Sequence, residues 1–349
     1  MPSPRARRLA RPSGRRPFVH AALVALVLVG GTAAGTVYMR AQAQDGGSSA
    51  VSSSASSSVS PSPSASASTA PGADTVAEEA SVEPVAAPEA DHDELLAAAL
   101  ADVAVEDGAA VSVAVLDVAS GDSAGYGDAR FDTASIVKTD ILAALLLQAQ
   151  DAGRQLTAQE KAYASTMIRD SDNVSATALW MAIGRADGLD AANERFGLTD
   201  TEGGDGLYWG LTQTTASDQL ALLQQVFGDD DTSVLSAASR AYVQELMGQI
   251  AAGQDWGVSA AVSGSPAAAF ALKNGWLPRT ATGLWVINSV GRVTVDGREY
   301  LVAVVSNGNT TKAKGISLVE AAAKAAVSVF GDTESPADAT VTASAATTS

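Results

Sequence analysis

The spacing of apolar residues divides the chain before any motif is considered. Residues 92–105, HDELLAAALADVAV, place leucine and alanine at helical intervals. Residues 109–127, AAVSVAVLDVASGDSAGYG, alternate apolar and small polar positions and turn at SGD, which predicts a β-hairpin. From Thr133 to Phe227 the period is mostly helical, with segments SIVKTDILAALLLQAQ, AQEKAYASTMIRD, VSATALWMAIG, LDAANERFG and SDQLALLQQVF. Alternation returns in AAFALKNGW, LWVINSVGRVTVDG and REYLVAVVSNG, and SLVEAAAKAAVSVF predicts a closing helix. Strands at both ends with helices between them predict an α+β domain: an antiparallel sheet with flanking helices plus a mostly helical lobe. A cleft between lobe and sheet is the expected ligand site.

Two regions depart from these periods. Ala21 to Met39, AALVALVLVGGTAAGTVYM, is nineteen residues without a charge, close to the ~20 needed to span a bilayer. Seven arginines precede or abut it, from Arg5 to Arg40, and predict a cytoplasmic N-terminus with the body outside. AQA at Ala41 to Ala43 is an acceptable signal-peptidase site, so residues 1–43 read as a basic segment with either a transmembrane anchor or a cleaved export signal. Residues 44–90 are rich in Ser, Ala and Pro and carry almost no large apolar side chains, as a disordered linker does. One folded domain is expected over residues 91–332, with a low-complexity tail over 333–349.

Charge narrows the partners. Fifteen basic residues face 39 acids beyond residue 43, a net charge of −24. Such a body repels nucleic acid and anionic lipid, leaving a small-molecule or peptidoglycan-like substrate, with membrane attachment only through an uncleaved N-terminal segment. Cysteine is absent, and the only histidines are His20 and His92. No histidine pair or acidic cluster has ligand spacing, so neither a metal nor another cofactor is expected.

The candidate chemistry begins in FDTASIVKTDILAALLLQ, where Ser135 and Lys138 are one turn apart at a predicted helix start. A nucleophilic serine needs a base, and the two histidines lie outside the domain or at its edge. A lysine can serve if burial or nearby cations keep its amine neutral. The first turn of a helix favours an alkoxide and disfavours an ammonium.

Two further motifs follow in order: Ser171-Asp172-Asn173 before a predicted helix, and Lys273-Asn274-Gly275 on a predicted strand. With Ser-x-x-Lys these resemble the class A β-lactamases and penicillin-binding proteins, serine hydrolases that pair Ser-x-x-Lys with Ser-Asp-Asn and Lys-Thr-Gly. The resemblance covers the folded domain and implies a β-lactamase/transpeptidase-like fold. It implies Ser135 as nucleophile, Lys138 as proton acceptor, Ser171 as relay to the leaving group and Lys273 as a positive charge across the cleft. It further implies substrate contacts from Asn173, Asn274, Gly275 and Trp276, with the Ser135 and Trp276 N–H groups as an oxyanion hole.

Three departures qualify the substrate. Asn274 replaces the usual Thr or Ser, no Glu-x-x-Leu-Asn segment supplies a deacylating base, and the span from Ser135 to Ser171 is short. Glu202, in LTDTEGGDG, is the nearest acid by position and reads as a solvated turn. The expected activity is that of an extracytoplasmic serine hydrolase or acyltransferase working on an amide or ester through an acyl-serine. A true class A β-lactamase and a catalytically silent wall-binding domain are the alternatives.

Overall fold

The computed structural model describes residues 91–264 and 269–330. The predicted anchor or signal, linker and C-terminal tail lie outside the described residues, and no described helix is long and apolar enough to cross a membrane.

Helix α1 (His92–Ala101) leads into the hairpin β1 (Ala110–Asp117) and β2 (Ser123–Tyr126). The short strand β3 (Phe131–Asp132) and a 3₁₀ turn, Ala134–Ile136, introduce α2 (Val137–Asp151). The helical lobe continues with α3 (Ala158–Arg169), α4 (Asn173–Ile183) and α5 (Arg185–Phe196), then β4 (Gln213–Thr214), α6 (Ala216–Phe227) and α7 (Ala237–Met247). Strands β5 (Phe270–Pro278), β6 (Trp285–Val295) and β7 (Arg298–Asn309) follow, and α8 (Lys312–Ser328) closes the domain. The sequence reading had no counterpart for α7; its buried face is Arg240, Val243, Leu246 and Met247, capped by Ser236.

The antiparallel sheet runs in the order β2-β1-β7-β6-β5. Its centre is β7, which joins the first hairpin to the last strands and is buried along Tyr300–Ser306. Helices α1 and α8 cover one face and α6 covers the other, so the middle strands bury side chains on both sides. A two-residue turn at Asp296 and Gly297, both left-handed (φ 49° and 87°), reverses β6 into β7.

Helix α2 is the axis of the lobe. Twelve of its fifteen residues are buried, including Lys138 and Asp140. A helix apolar all round belongs inside a domain, and the surrounding helices leave only its N-terminal end facing strand β5. Strand β5 is the edge of the sheet, so alternate backbone groups along it have no strand partner.

Candidate active site

The loop ahead of Ser135 is fixed from both sides. Phe131–Asp132 pairs with Gln213–Thr214, and the Thr133 N–H donates to the Thr212 carbonyl at 2.8 Å. On the other side the buried Asn288 amide, on β6, donates to the Asp132 and Thr133 carbonyls, both at 2.9 Å. Its own oxygen accepts from the Ser306 N–H at 3.0 Å, which ties the loop to the middle of the sheet. Ala134 is then left-handed (φ 48°), a conformation that an alanine holds only where its surroundings dictate it. Ser135 therefore sits in the 3₁₀ turn rather than inside α2, half-buried, with Lys138 in the first α-helical turn.

Lys138 is the hub of the site. Its Nζ lies 3.0 Å from Ser135 Oγ, 2.7 Å from the Ser171 carbonyl oxygen, 3.0 Å from Ser171 Oγ and 2.8 Å from Asn173 Oδ1. Two of these four oxygens, the Ser171 carbonyl and Asn173 Oδ1, can only accept. A neutral amine has two N–H groups for them, leaving its single lone pair to accept from one hydroxyl, that of Ser135 or that of Ser171. An ammonium has three donors for four oxygens and no lone pair. The surroundings favour the neutral form: burial lowers the Lys138 pKa to about 7, with the charge of Asp172 acting weakly the other way. The Trp209 ring, 4.9 Å from Nζ, adds an aromatic wall.

Ser171 and Asn173 owe their positions to the start of α4. Asp172 caps it, accepting from the Ser175 N–H at 2.6 Å, and Asn173 is the first helical residue. Ser171, just before, is left-handed (φ 56°), which turns both its carbonyl and its hydroxyl toward Lys138. Its Oγ also lies 3.1 Å from Lys273 Nζ, so one hydroxyl bridges two amines. Lys273 is fully buried and donates to the Asn274 carbonyl at 2.8 Å; burial, then the charge of Lys138, pulls its pKa well below the usual lysine range.

Strand alternation decides what β5 contributes. Lys273 and Gly275 face α2, and a Cβ on Gly275 would stand 2.8 Å from the Thr133 carbonyl oxygen and 2.9 Å from the Ser135 nitrogen. The strand thus passes the Ser135 amide at a distance only glycine allows, and brings the Trp276 backbone beside it. Asn274 and Trp276 turn their side chains to the opposite face. The buried Asn274 amide donates to the Gln254 and Trp256 carbonyls, both at 2.8 Å, and does not meet Ser135. The Trp276 ring meets Trp256 edge-on and lies under Lys312, whose Nζ is 4.1 Å from its centroid. Of the residues singled out from the sequence, Ser135, Lys138, Ser171, Asn173 and Lys273 meet through their side chains. Gly275 joins them through its backbone. The side chains of Asn274 and Trp276 stay outside the cluster.

The model of the Beta-lactamase enzyme family matches residues 147–330, more than half of the 349. The chain belongs to the beta-lactamase enzyme family. The span matched in this family member takes in Ser171, Asn173 and Lys273 and begins nine residues after Lys138. No curated protein matches the chain. Among solved structures, a point mutant of PBP-A as an acyl-enzyme complex with penicillin G is 20% identical with a TM-score of 0.57, covering 68% of this chain and 96% of its own. The TLA-1 extended-spectrum beta-lactamase is 15% identical with a TM-score of 0.59, covering 70% and 100%. A class A beta-lactamase from Bacteroides cellulosilyticus is 17% identical with a TM-score of 0.56, covering 68% and 96%. These likenesses establish the β-lactamase/transpeptidase-like fold, and the family places the chain among serine hydrolases of that type.

In this beta-lactamase-family domain no described carboxylate is hydrogen-bonded to Ser135 or Lys138. Glu202 pairs its backbone with Gln213, while its largely exposed carboxylate sits 3.5 Å from Arg130. Beside Lys138 lies instead Trp209, whose indole N–H donates to Thr177 Oγ1 at 3.1 Å. Trp209 and Asn288 were absent from the sequence reading. Both lie far along the chain from Ser135, and neither belongs to a spaced motif. Asp140, also absent from that reading, is buried two residues beyond Lys138 and is raised to about 7 by burial. Its Oδ1 accepts from Gln219 Nε2 at 3.1 Å, while Asp140 Oδ2 and Gln219 Oε1 are buried without partners. Among the described residues no group of His, Cys, Asp and Glu is arranged to hold a metal ion.

Proposed function

We propose that the domain cleaves or transfers an acyl group from an amide or ester through an acyl-Ser135 intermediate. One observation carries this reading: a buried lysine amine 3.0 Å from a half-buried serine hydroxyl, its N–H groups engaged by acceptors that leave its lone pair to a hydroxyl. Ser135 Oγ attacks the carbonyl carbon as Lys138 Nζ takes its proton, and the carbonyl oxygen becomes an oxyanion held by the Ser135 and Trp276 N–H groups. The bond to the leaving nitrogen or oxygen then breaks. Ser171 gives its proton to that atom and recovers one from Lys138, with the neighbouring Lys273 adding positive charge. Water or an amine attacks the ester, loses its proton through the same relay and restores the Ser135 hydroxyl. Asn173, at the mouth, holds the substrate's amide.

A point mutant of PBP-A was solved as an acyl-enzyme with penicillin G, and the same kind of covalent species is the one proposed for Ser135. With Trp209 rather than a carboxylate beside Lys138, activation of a deacylating water is weak, so the acyl-enzyme persists and passes its acyl group slowly. A true β-lactamase is the less favoured reading for that reason. We infer that the domain works outside the cytoplasmic membrane on a small molecule, a peptidoglycan-like compound among the candidates. The support is the arginine-rich, apolar segment of residues 1–43 followed by the linker of residues 44–90.

Intact-protein mass spectrometry after exposure to a fluorophosphonate or a fluorescent penicillin tests the assignment. The wild type gains one adduct, located on Ser135, while Ser135→Ala gains none. Equal labelling of the two proteins overturns it.

A further inference from the structure

The mouth of the site has a feature that the chemistry above does not use. The described surface exposes nine large apolar side chains, and four of them, Val174, Met181, Leu207 and Tyr208, belong to one rim. Val174 and Met181 are seven residues apart on α4, hence on one face and about 10 Å apart along it at 1.5 Å per residue. Helix α4, NVSATALWMAI, has no charged residue along its eleven positions although this face is open to solvent. Leu207 and Tyr208 are held alongside: the Trp180 indole N–H donates to the Gly206 carbonyl at 2.9 Å, and that of Trp209 donates to Thr177, between Val174 and Met181 on the same face. At both of its inner ends the rim adjoins, along the chain, a residue that touches Lys138. Val174 follows Asn173, which contacts Lys138, and Tyr208 precedes Trp209, whose ring lies against Lys138.

Scattered apolar residues on a surface need no explanation, but a cluster next to the residues that contact Lys138 does, even though its outer end, at Met181, borders Arg185, Asp187 and Asp205. Burying either end of it against the protein's own chain is not what the fold does: Tyr208 is 68% and Val174 74% exposed. We propose that this rim is the subsite for an apolar acyl group, so that the substrate is an amide or ester of a medium-length aliphatic or aryl-aliphatic acid. The proposal rests on the acyl-Ser135 reading, and the acyl half of the substrate is the part that stays on the enzyme and lies along α4. Contact on an open face removes part of each methylene from water; a fully buried one contributes about fourfold in affinity, so about twofold per methylene is the scale here.

The test uses the folded chain and p-nitrophenyl esters from acetyl to octanoyl, reading the nitrophenolate burst as the rate of acylation. The wild type is expected to prefer the octanoyl ester over the acetyl ester by at least ~10-fold. In Met181→Ser/Tyr208→Ser that ratio falls to within about threefold of unity, while Val234→Ser, beside the far end of α2, keeps the wild-type ratio. A flat chain-length profile in a wild type that still labels on Ser135 overturns the subsite and leaves the acyl-serine reading standing. Calorimetry of N-octanoylglycine on Ser135→Ala protein separates the two claims further. Binding that the Met181→Ser/Tyr208→Ser changes abolish supports the subsite, even where the wild type is acylated by no ester and the acyl-serine falls; no binding, or binding that those changes leave intact, overturns the subsite.

Discussion

A side-chain carbon on Gly275 would stand 2.9 Å from the backbone nitrogen of Ser135, closer than any real Cβ comes to such an atom. The strand that carries Lys273 and the turn that carries the serine are thus in backbone contact. Gly275→Ala must push them apart. We expect a loss of about 1–3 kcal/mol in stability, as for other overpacked sites, and a drop of ~10²-fold or more in acylation from a displaced oxyanion hole. Denaturant melts and fluorophosphonate labelling rates measure the two. Wild-type labelling in the alanine variant would remove β5 from the reaction.

The neutral amine of Lys138 gives the reaction a pH dependence. With the lysine lowered to about 7, acylation should rise with pH as the ammonium loses its proton, reaching half its plateau near pH 7. Lys138→Ala should fall by about 10²–10⁴-fold and lose that limb. Trp209→Ala, which admits water to the amine, should move the limb toward higher pH. A limb unmoved by either change would assign it to another group.

Asp140 links folding to pH. Its carboxyl is raised from 3.8 to about 7, so between those values the folded chain holds a proton that the unfolded chain has released. Stability from this residue is therefore fully present below about pH 4 and declines as pH rises to about 7, by on the order of 4 kcal/mol. Asp140→Asn removes that decline and offers an N–H to the unpaired Gln219 oxygen. Its melting temperature should exceed the wild type's at pH 8 and approach it at pH 4.

Asn274 is expected to matter for folding rather than for the acylation of a simple ester. Its two hydrogen bonds pin residues 254–256 beneath β5. Asn274→Ala should lose about 1–3 kcal/mol in urea titrations, having left two part-buried carbonyls without a donor. A short ester should still acylate Ser135 at a rate within about threefold. A larger rate loss with intact stability would return this side chain to the substrate site.

That no described carboxylate is hydrogen-bonded to Ser135 or Lys138 makes a kinetic prediction. Nitrocefin should be opened once per protein molecule and then held, giving a burst of one equivalent with little steady turnover. Sustained turnover would reveal a deacylating base supplied some other way, and would favour the β-lactamase reading.

Much of this arrangement was legible because it depends on short-range spacing. Ser135 and Lys138 share a helix face by virtue of being three apart, and the absence of a nearby histidine left lysine as the base. Strand period two was equally available for β5: if Lys273 and Gly275 face the serine, Asn274 and Trp276 cannot, yet the motif as a unit suggested four contributors. Trp209 could not be read this way. Its place over Lys138 depends on a glycine-rich segment anchored by Trp180 and Thr177, partners recognised only once the helices are packed. The same holds for Asn288, which lies 153 positions beyond Ser135 and acts through two carbonyls of the preceding loop. Helix α7 was passed over because its buried face includes an arginine, Arg240, which donates to the Leu235 carbonyl and pairs with Asp230.

The order of strands across the sheet has a consequence for the timing of reactivity during synthesis. Within the sheet, β5 pairs only with β6, β6 pairs with β7 on its other side, and β7 alone reaches the first hairpin. The serine leaves the ribosome early, but the strand that flanks it is not tied into the complete sheet until residues up to Asn309 have emerged and paired. A nascent or truncated chain ending before that point is therefore expected to carry a slow hydroxyl, so that reactivity would arrive with the last strand rather than with the serine.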